Sequence, residues 1–249
     1  MLSVNNLLFN RNSINYFIGD SINQLINEIP GIREKEEYWL FYFIREDFSA
    51  NLFSLCGMDI DTDFLGFPVI RKNTRHAIEA FLDLYNLCRD QEYINVLKYC
   101  SNKKANGIGK YKNYIHNKQF TIYSKVKIAK EEYDQNFEFL IDIAKESNAF
   151  IHPNVYVDVI PVSERIKKIE ILKRLLGINI YLLDNGYKLF LNKFHQSLQP
   201  YIGCPGCNRN GKCTLCYRQL YDNFVTCINT SLVMELKPEI NYFNNSVWR

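Results

Sequence analysis

Apolar residues recur at helical spacing over most of this chain. The clearest stripe spans residues 126–152, a second runs from 163 to 194, and weaker ones cover 13–29, 34–55 and 72–89. A spacing of three and four residues puts side chains on one face of an α-helix, and that face must pack against another element. The pattern therefore predicts a mainly α protein in which the helices form a bundle.

Composition agrees with a packed helical domain. Hydrophobic residues make up 47% of the 249 residues, with only 11 Gly and 7 Pro.

Within the bundle, Asn73 or Thr74 is predicted to cap the 72–89 helix, and residues 120–128 alternate like a short strand. Asn185-Gly186 is typical of a hairpin turn, but the apolar stripe continues through it, which favours a long helix.

The sequence also bears on the compartment. No apolar run reaches the roughly 18 residues that a membrane-spanning helix needs, and residues 1–21 lack the basic start and apolar stretch of a secretory signal. We therefore expect a cytoplasmic protein without a membrane partner. In that compartment the eight cysteines are expected to be thiols or metal ligands. Of these, Cys56, Cys88 and Cys100 have the apolar surroundings of core residues.

Four cysteines near the C-terminus have the spacing of a metal site. Cys204, Cys207, Cys213 and Cys216 form two C-x-x-C pairs separated by five residues. Two such pairs supply the thiolate tetrahedron that structural zinc prefers. The sequence predicts a zinc-knuckle segment over residues 199–249, appended to a bundle over 1–198. An iron–sulfur cluster, redox thiols and unmetallated cysteines remain as alternatives.

Residues 93–130 contain nine lysines and no acidic residue, while the rest of the chain has 21 basic and 27 acidic residues. Within this span a polar loop over 101–125 interleaves lysines with tyrosines. Lysines contact phosphates and aromatic rings stack on bases, a composition typical of single-stranded nucleic-acid binding. The predicted contact residues are Lys103, Lys104, Lys110, Lys112, Tyr111 and Tyr114. The alternative is a solvated loop whose aromatic rings anchor it to the core.

Asn148 and His152 lie four residues apart at the predicted end of the 126–152 helix, and Pro153 follows. That spacing puts both on one helix face. An imidazole at a helix C-terminus either caps carbonyl groups or meets a ligand.

The segment "TRHAIEAFLDLYNL", followed later by a helix ending in "SNAFIHPNVYV", resembles the HEPN-like families. These are helical bundles of toxin, abortive-infection and other defence proteins, many of them ribonucleases. Their motif is Arg, four to six residues, then His, and often begins Arg-Asn. The resemblance covers roughly residues 35–197. Asn148 and His152 match the motif, whereas Ser147 stands where the family has Arg.

The resemblance implies an RNA-associated protein of the toxin or defence kind. In the ribonucleases of the family, His moves the proton and Arg stabilises the phosphorane charge without a metal. Arg75, which forms an Arg-x-x-x-Glu pair with Glu79, is the expected substitute for the missing Arg; Arg71-x4-His76 fits the same motif. A homodimer and a partner protein are both compatible with this class. The competing hypothesis is a non-catalytic, zinc-stabilised module that binds nucleic acid or protein.

Overall fold

The computed structural model describes residues 30–56, 66–115, 119–148 and 165–198. Over these ranges the regular structure is helical and contains no strand, which confirms the mainly α class. The helices are α1 Glu36–Cys56, α2 Gly66–Arg89, α3 Tyr93–Cys100, α4 Ile122–Tyr133, α5 Glu138–Asn148 and α6 Arg165–Leu198. None of them has an apolar stretch of the length that crossing a bilayer requires.

Helix α2 is the centre of the bundle and packs against α1, α4, α5 and α6. Its residues from Ala77 to Leu87 are buried on nearly every side, as expected for a helix surrounded by others. Phe81 shows this arrangement, because its ring packs edge-on against both Phe137 and Tyr181. Side chains on different faces of α2 therefore lie against different neighbouring helices.

A second, smaller core lies under the lysine-rich loop, beside the main core around α2. It consists of five buried residues from α2, α3, the loop and α4, with further rings around them: Leu87, Tyr93, Val96, Tyr111 and Ile128. The rings of Tyr93 and Tyr111 meet edge-on with centroids 5.6 Å apart. The loop is therefore fixed to the bundle by its own aromatic residues.

The strand predicted over residues 120–128 is wrong, because α4 occupies this stretch. Thr121 is its N-cap, and the Thr121 Oγ1 accepts a hydrogen bond from the Ser124 backbone N–H at 3.3 Å. Ile122, Val126 and Ala129 are buried at helical spacing. The loop predicted to reach residue 125 therefore ends at the cap.

The single helix predicted over 126–152 is also wrong. It is interrupted at residues 134–137, and α5 begins at Glu138. Asp134 has a left-handed conformation with φ of 53°, which ends α4, and the Asn136 side chain accepts a hydrogen bond from the Glu138 N–H at 2.8 Å. The apolar stripe continues across the break because α4 and α5 both bury one face against α2.

The cap predicted at Asn73 or Thr74 is wrong, since α2 begins earlier, at Gly66. Thr74 is fully buried inside the helix. Its hydroxyl oxygen accepts hydrogen bonds from the amides of Asn179 at 2.8 Å and Asn51 at 3.3 Å. This polar contact joins α1, α2 and α6, so Thr74 connects helices instead of starting one.

The long-helix interpretation of residues 178–194 is confirmed, because Asn185 and Gly186 lie inside α6. Gly186 is buried where α6 crosses α1 and α2. A Cβ atom at this position would lie 3.2 Å from Ile44 Cδ1 and 3.8 Å from Leu84 Cδ2. The glycine permits close helix packing and does not form a turn.

Cys88 and Cys100 are partly buried beside the two cores, as predicted, while the Cys56 side chain lies outside the described residues. Burial raises the pKa of the Cys88 thiol to about 12, so the thiolate is scarce at neutral pH.

Candidate functional site

Two arginines of α2 reach the C-terminal end of α5. The Arg75 Nη1 donates to the Ala144 carbonyl oxygen at 3.3 Å, and the Arg71 Nη1 donates to the Glu146 carbonyl oxygen at 3.4 Å. The predicted ion pair within α2 is also present, with Arg75 Nη2 3.1 Å from Glu79 Oε1. The Glu146 carbonyl is one of the last four of α5, which lack an intrahelical donor, and the partial negative charge at this helix end attracts both guanidinium groups.

Ser147 occupies the position at which the HEPN-like motif has Arg. The residue is fully buried, and its hydroxyl donates to the Ile143 carbonyl oxygen at 2.9 Å. An arginine here would put a charge into the bundle core, at a large desolvation cost. The guanidinium groups at this end of α5 come from a neighbouring helix, since Arg71 and Arg75 both belong to α2.

Arg174 is a third arginine at this site, and the sequence does not predict its position there. Its Nη1 lies 2.8 Å from Glu146 Oε1, so α6 also contributes a guanidinium at the end of α5. Both partners are about half-exposed, at 46% and 49%. Arg174 has no motif around it, and only the packing of α6 brings it to Glu146.

Asn148 is the last residue of α5. His152 follows it, outside the described residues, and the cysteines at 204, 207, 213 and 216 lie outside them as well. The ranges that the structure describes hold no group of three or more His, Cys, Asp or Glu arranged to bind a metal. The predicted zinc site stays a prediction.

His76 faces away from the arginines, toward α1. Its Nδ1 lies 2.9 Å from Asp47 Oδ2; the imidazole is 55% exposed and the carboxylate only 14%. Pairing with Asp47 raises the pKa of His76 above its usual value. Burial raises the pKa of Asp47 although His76 opposes this shift. Arg71 and His76 thus belong to different sides of α2, and their motif spacing does not bring them to one site.

Three residues predicted to bind nucleic acid anchor the lysine-rich loop. Tyr111 is only 1% exposed, and its hydroxyl donates to Asp90 at 2.7 Å. Lys110 lies 3.1 Å from Asp90 and 3.4 Å from Glu132. The Tyr114 hydroxyl donates to Glu132 at 2.9 Å. A ring as buried as Tyr111 cannot stack on a base, so its role is to hold the loop in place.

The other predicted lysines of the loop, Lys103, Lys104 and Lys112, are exposed. Within the described ranges no carboxylate lies at ion-pair distance from them. Gly107 has φ of +100° and open space at its Cβ position, so a ligand can approach the backbone closely. Tyr123 lies in the first turn of α4, where its ring is 65% exposed and offers an aromatic face to solvent.

No family model, curated protein or solved structure matches the chain.

Proposed function

We propose that the chain is an RNA-associated protein of the HEPN-like kind, acting in the manner of a toxin or defence protein. The observation that carries this proposal is the end of α5. Ser147 is buried where the family has Arg, while Arg71 and Arg75 reach the same helix end from α2. The cation that the motif lacks is thus present nearby, next to the segment that contains His152.

The chemistry is that of RNA transesterification. A ribose 2′-oxygen attacks the adjacent phosphorus and the new P–O bond forms. The bond to the 5′-oxygen of the next nucleotide breaks, and this oxygen leaves as a hydroxyl with a proton taken from water. In this proposal His152 takes the proton of the attacking hydroxyl, and the guanidinium of Arg75 stabilises the negative charge on the phosphorane. Asn148 orients the phosphate or the imidazole by hydrogen bonding.

An RNA-cleavage assay tests the catalytic part of the proposal. General acid–base catalysis by a positioned His contributes about 10²–10⁴-fold. We expect His152→Ala to reduce cleavage of a single-stranded RNA by that factor while RNA affinity is retained. Arg75→Gln should also reduce the rate, with the unfolding temperature recorded for each variant.

His76→Ala is the matched control, because this histidine faces α1 and pairs with Asp47. It should leave the rate unchanged. Equal losses from both histidine variants together with lost helicity would make the histidines structural. Full cleavage by the His152 variant would refute the proposed mechanism.

A second candidate is a non-catalytic module that binds RNA, and one observation favours it. Arg75 is already bonded to Glu79 and to a helix carbonyl, which is how a purely structural arginine behaves. In this case the exposed Lys103, Lys104 and Lys112 carry the RNA contact, and four thiolates bind a zinc ion that stabilises the C-terminal segment. RNA binding without cleavage would select this candidate.

A further inference from the structure

Tyr123 is an exposed aromatic residue in the acid-free span. Its side chain is 65% exposed, compared with 43% for Trp39 and 41% for Phe43 on α1. Among the described residues no other ring packs against Tyr123, and none forms a hydrogen bond with its hydroxyl. Both faces of the phenol ring are therefore open to a ligand.

Four neighbouring rings are packed instead. Tyr93 and Tyr111 are buried. The ring of Phe120 lies 5.8 Å from that of Tyr93, and the Tyr114 hydroxyl donates to a carboxylate of α4 at 2.9 Å. These rings stabilise the smaller core and the loop above it, a role that Tyr123 does not share.

The surroundings of Tyr123 are positively charged. Lys127 and Lys130 follow it by four and seven positions on α4, so the three exposed side chains share one helix face. The carboxylates paired with these lysines, Glu131 and Glu138, lie farther along the chain. An exposed ring among cations has the charge complementarity that a single strand of nucleic acid requires, since its bases alternate with phosphates.

Lys127 also connects this face of α4 to the lysine-rich loop. Its Nζ lies 5.8 Å from the centre of the Tyr114 ring. Lys112, two residues before Tyr114, is exposed. A strand that contacts the exposed lysines of the loop can therefore continue onto the face of α4 that carries Tyr123.

We infer that Tyr123 stacks on an unpaired base of a single-stranded RNA whose phosphates contact the exposed lysines of the loop. Every nucleobase has a π-face, so stacking fits single strands of any sequence, whereas the faces of paired bases are covered in a duplex. The inference rests on the proposed function in one respect, because the ligand is taken to be RNA. Its consequence is a preference for unpaired over paired RNA.

Tyr123→Ala tests the inference. The probe is a fluorescein-labelled uridine hexanucleotide with 2′-O-methyl groups, which lacks the attacking hydroxyl and cannot be cleaved by the proposed mechanism. We expect binding to weaken about 5- to 150-fold, the range that one stacked base supplies. Tyr123→Phe should keep the wild-type affinity, because it retains the ring. The unfolding temperature should stay the same in both variants, since the side chain is exposed.

An abasic hexanucleotide with the same number of phosphates separates stacking from charge. Tyr123→Ala should leave binding of this second probe unchanged, because there is no base to stack on. Replacing Lys103, Lys104 and Lys112 with Gln should weaken binding of both probes, because both have phosphates.

Trp39→Ala is the matched control, since it removes another exposed ring. Trp39 lies on α1, where its ring meets Tyr42 edge-on at 5.6 Å and exposed Glu46 is on the same helix. A carboxylate repels phosphates, so this variant should bind the hexanucleotide as tightly as the wild type.

Equal losses of both probes in Tyr123→Ala, or an equal loss of the hexanucleotide in Tyr123→Phe or Trp39→Ala, would overturn the inference. Hexanucleotide binding that the lysine replacements weaken and Tyr123→Ala does not would overturn the stacking site and leave the proposed function standing. Tyr123-dependent binding of a thymidine hexanucleotide without binding of the RNA probe would support the stacking site and refute the proposed function. Binding of no probe would refute both.

Discussion

Lys125 has a different environment from its neighbours in the acid-free span. Its Nζ lies 2.6 Å from Asp83 Oδ2, the Tyr93 hydroxyl donates to Asp83 Oδ1 at 2.7 Å, and the pair is buried. The contact fastens α4 to α2 and α3. Packing thus gives different roles to lysines that look equivalent in the sequence. Lys125 is a buried structural residue and Lys110 anchors the loop, whereas Lys103, Lys104 and Lys112 are exposed.

Lys125→Met should destabilise the protein strongly. Removing the cation leaves the Asp83 charge buried without its partner, which costs about 3–5 kcal/mol of unfolding free energy. Replacing both residues, as Lys125→Met with Asp83→Leu, should recover only part of this loss, because the buried Tyr93 hydroxyl then lacks its Asp83 acceptor. Lys130→Met on the same helix is the control, because its pair with Glu138 is exposed and should matter little. Urea unfolding measures all four proteins, and a tolerated Lys125→Met would contradict the structure.

His76 should make stability depend on pH. Its pKa is raised in the folded state, chiefly by Asp47 and also by Glu79, relative to the ordinary value of 6.5. A raised pKa stabilises the fold fully below the unfolded pKa, and this contribution is lost as the pH rises through the folded pKa. The unfolding free energy should therefore fall as the pH rises past 6.5.

The expected change is below about 1 kcal/mol, because the imidazole is half-exposed and solvent screens the pair. Subtracting the unfolding free energy of His76→Gln at each pH isolates the contribution of His76. A difference that does not vary between about pH 6 and pH 8, the range in which a histidine changes charge, would refute the assignment.

At the scale of the helices, Gly186 decides how closely α6 approaches α1. Gly186→Ala should be nearly neutral: Ala gains up to about 1 kcal/mol of helix propensity, and the crowded atom is only the flexible end of Ile44. Gly186→Leu should lose about 1–3 kcal/mol by overpacking. Asn192→Leu, at an exposed position of α6, is the control. Thermal unfolding that is unchanged in Gly186→Leu would contradict the crossing.

The sequence predicts the existence of most helices and fails at their boundaries. Apolar periodicity identifies α1, α2 and α6 because each buries a face, and burial is what the pattern records. The same pattern hides the break at residues 134–137, since α4 and α5 both face α2. The break depends on local conformation, a left-handed Asp134 and a capping Asn136, which hydrophobic spacing does not show.

The candidate site is predictable only in part. The ion pair of Arg75 and Glu79 follows from i,i+4 spacing on one helix. The packing of separate helices decides the remaining features: the contact of Arg75 with α5, the burial of Ser147 and the contact of Arg174 with Glu146. The burial of Tyr111 is likewise not decided by the sequence, because a tyrosine in a polar loop serves equally well as an anchor and as a stacking platform.

At the scale of the whole molecule, the four-cysteine segment should bind about one zinc ion per chain, the number that a single four-thiolate site holds. Cys213→Ser should lower the zinc content and increase proteolysis of residues 200–220 before it affects the bundle, because metal binding supplies the folding free energy of such a segment. Elemental analysis of protein purified without chelators and limited proteolysis measure these effects. Metal-free protein that resists proteolysis equally well would count against the site.

RNA binding as a function of salt concentration tests the central claim most directly. The chain should bind single-stranded RNA, with an affinity that falls as salt rises by roughly 0.7 in the logarithmic slope for each phosphate contacted. Replacing exposed Lys103, Lys104 and Lys112 with Gln should weaken binding and flatten this slope. Replacing Lys127, Lys130 and Lys188, which pair with carboxylates, should have a smaller effect. No detectable RNA binding, or equal effects of the two triple variants, would contradict the account.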